Sequence, residues 1–233
     1  MHIFYAPDIK NNTELPEEES NHAVRVLRLG EGSEVMLIDG IGTFYKAIIT
    51  RAHHKRCAVE ITESYNQEQQ WGGFFHIAVA PTKNIDRIEW FLEKSTEIGI
   101  DAITLLKCRY SERKDVKIDR LNKIIISATK QSLKARLPIL EGMVDFKQFV
   151  KQPFEGPKYI AHCYSQDEKV LLKDLYQAGS NALILIGPEG DFSEDEVKLA
   201  LENGFKPISL GLSRLRTETA ALVGCHTLHV INE

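Results

Sequence analysis

Beyond residue 75 the chain alternates short apolar runs with amphipathic helical stretches, and this alternation constrains the fold more than any other feature. His76–Ala80 reads as a strand. Asn84–Ile98 reads as a helix, with Ile85, Ile88, Phe91, Leu92 and Ser95 on one face and Gly99 as its stop. Asp101–Lys107 is a strand, and Ile118–Leu133 a helix that aligns Leu121, Ile124, Ile125 and Ala128. Lys158–Cys163 is a strand, Lys169–Ala178 a helix and Asn181–Ile186 a buried strand. Ser193–Asn203 is a helix opened by a capping box, with Ser193 followed three residues on by Glu196. Pro207–Leu210 is a strand and Glu218–Val230 the terminal helix. Strands alternating with helices predict an α/β domain with a mostly parallel sheet.

The first 63 residues follow a different pattern. Glu34–Gly40 and Thr43–Arg51 flank a Gly40-Ile41-Gly42 hairpin turn, and Cys57–Thr62 alternates as a further strand. Glu19–Leu29 carries Ala23, Val24, Val26 and Leu27 and reads as a short helix. Several short strands in so small a span predict a small β-barrel. Residues 64–73, polar and ending in glycine, read as the linker, so the expected division is 1–70 and 71–233. A length of 233 residues with 43% hydrophobic and 27% charged content supports a real core and excludes global disorder.

No apolar run approaches the roughly 18 residues of a membrane span, and no secretory signal precedes the first strand. Cys57, Cys108, Cys163 and Cys225 lie among apolar residues without C-x-x-C spacing, so buried thiols of a cytoplasmic protein are expected and no metal site. His53 and His54 read as surface residues, and His226 and His229 as core or interface. No Ser-His-Asp order or metal spacing emerges from the histidines.

Net charge is −4, which taken whole argues against a nucleic-acid binder. The distribution argues otherwise. Residues 107–136 hold ten Lys/Arg against three Asp/Glu, and the rest of the chain is acidic. Arg113, Lys117 and Arg120 recur at helical spacing, and Lys123, Lys130 and Lys134 extend the stripe. A run of cations is usually a solvated face, but this excess suits contacts with phosphates.

Two loops carry the strongest local signals. Ile186-Gly187-Pro188-Glu189-Gly190-Asp191-Phe192-Ser193 follows a buried strand and precedes a capped helix. Ligands of parallel α/β sheets sit at such strand ends, and glycines let the backbone approach them. The loop is neither a dinucleotide fingerprint nor a Walker loop. The second, Leu210-Gly211-Leu212-Ser213-Arg214-Leu215-Arg216-Thr217-Glu218-Thr219, is again strand, glycine loop and helix start. There Thr217 and Thr219 are placed to cap the helix, and Glu218 suits its dipole. Two arginines in such a loop favour a site over an ordinary turn.

These loops together resemble the RsmE family, the ribosomal small-subunit RNA uridine N3-methyltransferases of the SPOUT class. Further motifs carry the resemblance: His22-Ala-Val-Arg-Val-Leu-Arg28, Asp39-Gly40, Glu93-Lys94-Ser-Thr-Glu97-Ile-Gly99, Ser111-Glu112-Arg113, and Gln131-Ser132 ahead of Leu137-Pro138. They run from about residue 22 to 221, nearly the whole chain. Asp191, the Ser213-Arg214 pair, and Lys130, Leu133 and Lys134 depart from the family pattern.

The resemblance implies a C-terminal trefoil-knotted SPOUT α/β methyltransferase domain behind a small PUA-like β-barrel, a homodimer, and S-adenosyl-L-methionine as cofactor. The implied cofactor residues are His162, Ile186, Gly187, Pro188, Glu189, Gly190, Leu210, Gly211, Leu215, Thr217 and Thr219. The implied substrate is one uridine of 16S ribosomal RNA in the assembled small subunit. Arg216 would stabilise charge on the uridine, Glu218 would orient loop or substrate, and Arg113 would be a second cation. Arg25, Arg28, Lys83, Arg109, Lys117, Arg120, Lys134 and Arg136 are the candidate RNA contacts. Two alternatives stay open: a SPOUT enzyme for another RNA, and a non-catalytic RNA-binding module. A nucleotide hydrolase lacks a phosphate-binding lysine or metal-ligand set in the Gly187–Gly190 loop.

Overall fold

The computed structural model describes residues 2–164 and 169–233. It divides into two compact units. One comprises Met1–Gln69 together with Ile126–Leu137, the other Gln70–Ile125 with Pro138–Glu233. Beyond the contiguous stretch read from the sequence, the smaller unit takes in a second, distant segment.

The smaller unit holds β1 (Ile3–Tyr5), α1 (Glu17–Asn21, running into a π-helical turn at His22–Val26), β2 (Glu34–Ile38), β3 (Thr43–Arg51) and β4 (Ala58–Asn66). The sheet order is β1-β2-β3-β4, with β1 parallel to β2 and the other pairs antiparallel. Past β1, the same N-terminal stretch reaches the opposite edge, where Leu15 N–H bonds Cys57 O and Val59 N–H bonds Thr13 O. The sheet therefore curls around a core that includes Phe4, Leu37, Tyr45, Ile49 and Val59, with Ala23 from the helical segment.

The expected hairpin is present, and Asp39 organises it. One carboxylate oxygen accepts from the N–H groups of Ile41, Gly42 and Thr43, and the other from Tyr45 Oη. Burial opposes the charge, but these donors hold the carboxyl below its usual range. The proposed linker does not begin at residue 64, because β4 continues to Asn66 and Tyr65 stacks on Phe44. Gln67 then accepts from the Ala135 and Arg136 N–H groups, which fastens the second segment. Lys130 of that segment pairs with the nearly buried Glu19.

The larger unit is a seven-stranded sheet whose pairings are all parallel. Its strands are β5 (Phe75–Val79), β6 (Ala102–Lys107), β7 (Ile139–Asp145), β8 (Lys158–Ala161), β9 (Val170–Leu171), β10 (Ala182–Ile186) and β11 (Phe205–Ser209), in the order β7-β6-β5-β10-β8-β11-β9. Every residue of the central β10 is buried, as its unbroken apolar run requires in a sheet covered on both faces.

The helices are α2 (Ile85–Ile98), α3 (Ile118–Gln131), α4 (Phe146–Phe149), α5 (Leu172–Leu175), α6 (Glu194–Glu202) and α7 (Thr217–Asn232). α2 starts at an Asn84 cap and buries Ile88, Phe91, Leu92 and Ser95, as its spacing predicts. The Ser193–Glu196 capping box of α6 is present in full. α3 continues through residues 125 and 126, so its second half belongs to the smaller unit.

Several elements differ from the sequence reading. β1, β7 and α4 were not expected. The helix read at Lys169–Ala178 is instead the two-residue β9, paired with β11, and a single turn. Leu171 is drawn into extended backbone, and helical structure resumes only at Leu172. α7 begins at Thr217 with Arg216 at its N-cap and no side-chain cap, so Thr217 and Thr219 do not play the capping role. Cys57, Cys108 and Cys225 are buried, but Cys163 is exposed. Among the described residues no helix is long and apolar enough to cross a membrane.

Candidate functional site

β10, β8 and β11 are adjacent and parallel, so the segments leaving their C-terminal ends emerge side by side. They enclose a cavity of about 300 Å3. Its wall takes Ile186, Gly187, Pro188, Glu189 and Asp191 from the loop after β10, and Arg214, Leu215, Arg216 and Thr217 from the loop after β11. Ala161, Cys163 and Ala220 complete it.

The two glycine loops are joined to each other. Thr217 Oγ1 donates to Gly187 O at 3.0 Å in a buried bond. A Cβ on Gly187 would lie 3.1 Å from Phe192 N, tighter than ordinary contact, so glycine is what lets the loop fold back on itself. Asp191 has φ 67°, a left-handed conformation in which a residue other than glycine needs local support. Its carboxylate supplies that support and a cross-link. Oδ1 accepts from Phe192 N–H at 2.8 Å, and Oδ2 from Cys163 N–H at 2.7 Å, tying the loop after β8 to the loop after β10. Partial burial and the neighbouring Asp191 carboxylate raise the Cys163 thiol, which stays protonated at neutral pH.

Glu189 reaches another segment. Its Oε1 accepts from Lys83 N–H at 3.0 Å, and Arg113 donates to Thr82 O at 3.0 Å and to Lys83 O at 2.6 Å. Arg113 thus grips the loop between β5 and α2, which in turn holds Glu189. It does not line the cavity, and its guanidinium is engaged with these backbone carbonyls. Glu218 also stays out of the cavity. It is buried on α7 with Oε1 at 3.8 Å from Arg87 Nε on α2. Arg216 and Arg214 line the cavity, are exposed, and carry no ion pair among the described residues.

Of the proposed cofactor residues, Ile186, Gly187, Pro188, Glu189, Leu215 and Thr217 line the cavity, whereas His162, Gly190, Leu210, Gly211 and Thr219 stand beside it. Asp191, Arg214, Ala161 and Ala220 belong to the wall without having been singled out as cofactor residues, and so does Cys163 of the His162–Cys163 loop, which the resemblance implies holds the cofactor. The first two sit inside the motifs that drew attention to the loops. The alanines gave no signal beyond ordinary apolar residues.

The proposed RNA contacts divide differently. Arg25, Arg28 and Lys117 are exposed. Lys83 pairs with Glu112 at 2.8 Å, Arg120 with Glu89 at 2.6 Å, and Arg109 with Asp195 at 3.7 Å. Arg136 is exposed, with its guanidinium packed over Gly42. Lys134 is 6% exposed, so it cannot present a surface charge as expected. Its backbone turns back to bond Thr129 O after the left-handed Leu133, and this carries the side chain inward.

Comparison with known proteins agrees with this architecture. Residues 72–229 match the model of an RNA methyltransferase domain, and residues 15–62 that of an RNA methyltransferase PUA domain. The sequence is 30% identical to ribosomal RNA small subunit methyltransferase E of Rickettsia conorii, over 90% of this chain and 86% of that protein. A Porphyromonas gingivalis protein described as a probable rRNA-methyltransferase superposes with a TM-score of 0.94 at 42% identity, covering 100% of this chain and 98% of the other. The ribosomal RNA small subunit methyltransferase E of Neisseria gonorrhoeae, solved with S-adenosyl methionine bound, superposes with a TM-score of 0.87 at 26% identity, covering 99% and 98%. With a parallel α/β unit, a curled β unit ahead of it, and two linked glycine loops, the chain belongs to the RNA methyltransferase family of ribosomal RNA small subunit methyltransferase E.

Proposed function

We propose that the protein transfers a methyl group from S-adenosyl-L-methionine to N3 of one uridine of 16S ribosomal RNA, acting on the assembled small subunit. The observation that carries this reading is the cavity itself, where two arginines with no ion pair among the described residues and two carboxylates meet glycine-loop backbone at the ends of three parallel strands. The donor set fits the cofactor. Ile186, Leu215, Ala161 and Ala220 offer apolar surface for a purine, and Glu189 and Asp191 offer negative charge to a sulfonium or ammonium group. Bound S-adenosyl-L-methionine supplies an electrophilic methyl group.

The chain's own residues do the rest. The Thr217–Gly187 bond and the Asp191 cross-link hold the loops in one arrangement, so that the nucleophile meets a fixed methyl position. Uridine N3 carries a proton at neutral pH, and negative charge spreads over N3 and its flanking carbonyls as that proton passes to solvent water. Arg216 stabilises this charge, and Arg214 is the second cation within reach. Arg113 and Glu218 act as positioning residues through Lys83 and Arg87.

The reading extends to the assembly. The enzyme works in the cytoplasm as a homodimer and carries the family's trefoil knot. An apolar groove along α7, lined by Ile98, Leu222, Val223, Val230 and Ile231, supports pairing with a second copy. The entry of β10 between β5 and β8, and of β11 between β8 and β9, supports a threaded connection.

The deciding experiment offers small subunits from a strain lacking the endogenous activity to the purified protein with labelled cofactor. The expected product is a single N3-methyluridine in 16S RNA, mapped by mass spectrometry. Methylation at another base atom, or of transfer RNA alone, would overturn the reading.

A further inference from the structure

A second cavity, of about 460 Å3, opens at the C-terminal ends of β6 and β7. Lys107, Arg109, Lys114 and Lys147 line it together with Asp145, Asp195 and Glu196. The acids are already engaged. Asp145 accepts from Lys147 N–H at the start of α4. Glu196 accepts from Ser193 and from Arg109 N–H. Asp195 faces the Arg109 guanidinium. Lys107, Lys114 and Lys147 are exposed and form no ion pair among the described residues. Four cations against three carboxylates leave the lining net positive, and only Arg109 of the four is paired among the described residues.

Tyr110 stands between this cavity and the one after β10. It is 49% exposed, with the Arg109 guanidinium 6.0 Å from its ring centre. A Cβ on Gly190 would lie 3.1 Å from Tyr110 Cβ, so the glycine lets the tyrosine segment lie against the Gly187–Asp191 loop. Four cations line the cavity, and the half-exposed Tyr110 ring adjoins it. A compact anion needs convergent donors. A strand of nucleotides needs spaced cations and a ring for an unstacked base.

We propose that this cavity and Tyr110 form a subsite for single-stranded RNA. The phosphates of nucleotides next to the methylated one lie on Lys107, Lys114, Lys147 and Arg109, and one neighbouring base stacks on the Tyr110 ring. The proposal rests on the reading that the substrate is RNA. It adds the path the strand takes away from the methyl-transfer cavity.

The test measures affinity for a fluorescein-labelled single-stranded RNA carrying the methylated sequence, with methylation of small subunits assayed in parallel. Removing the three lysines together (K107Q, K114Q and K147Q) is expected to weaken RNA binding at least about ten-fold and to flatten the salt dependence by about two in slope. Cofactor affinity, read by calorimetry, stays at the wild-type value. Tyr110→Ala is expected to weaken RNA binding about ten-fold by loss of one stacked base, and Tyr110→Phe to restore it. Replacing three lysines elsewhere on the same unit (K151Q, K198Q and K206Q) removes the same charge and leaves RNA affinity in place. Wild-type affinity and salt slope in the triple Lys107, Lys114 and Lys147 variant would overturn the subsite while leaving methylation of RNA intact. A wild-type protein that neither binds nor methylates RNA would overturn both readings.

Discussion

The two glycine loops and the basic segment 107–136 both stood out in the sequence, and the fold uses them in opposite ways. Both loops contribute residues to one cavity, among them Arg214 and Arg216, which form no ion pair among the described residues. In the basic segment much of the charge is spent inside the protein. Arg113 grips backbone carbonyls, Arg120 and Lys130 hold glutamates, and Lys134 is buried. A glycine loop after a parallel strand is a geometric commitment made by consecutive residues. A tally of cations is not, because each long side chain finds its partner only once the chain has folded.

The largest test of this contrast is Arg216→Ala. Removing a preorganised cation from the charge-bearing position should slow single-turnover methylation about 100- to 1,000-fold, with cofactor affinity kept within a few-fold. A wild-type rate would abolish the distinction between the regions. Next, Lys130→Ala should destabilise the smaller unit by about 2 kcal/mol, because it strands the nearly buried Glu19 carboxylate. Urea unfolding measures this, and loss of RNA affinity without loss of stability would return Lys130 to the surface role.

Thr217→Val keeps the side chain's shape but leaves the Gly187 carbonyl without its buried donor. The expected cost is about 1–2 kcal/mol, read by calorimetry as cofactor binding weakened roughly ten-fold. Unchanged binding would show that the loops hold their positions independently. The smallest effect belongs to Arg120→Ala. Its partner Glu89 is mostly covered but Arg120 is 59% exposed, so the pair should contribute less than about 1 kcal/mol, with RNA affinity unchanged. A marked fall in RNA affinity would show that the basic stripe binds as a whole.

Much of the larger unit was legible because its signals are local. β10 is an unbroken apolar run, α2 has its cap and its stop, and α6 has its capping box. β7 was not legible. It is an edge strand with Glu141 and Gly142 at its centre and little apolar alternation, and it exists because β6 pairs with it. β9 is the same case in two residues. The motif residues of the site could be read, yet the role of Arg113 could not, since it depends on a meeting with Thr82 and Lys83 about thirty positions away. Asp191 was noticed as a departure from glycine. Its left-handed backbone accounts for the usual glycine, and its two accepted hydrogen bonds account for the aspartate.

The smaller unit draws on Ile126–Leu137, and this sets an order of events during synthesis. At roughly 5–20 residues per second the first 69 residues leave the ribosome several seconds before the segment that completes them. Until then the Gly40 carbonyl lacks Leu137 N–H, Gln67 lacks its two donors, and Glu19 lacks Lys130. A fragment ending near residue 70 therefore holds every strand of its sheet and still lacks part of its own structure. Transplanting this unit onto another protein requires carrying the later segment with it.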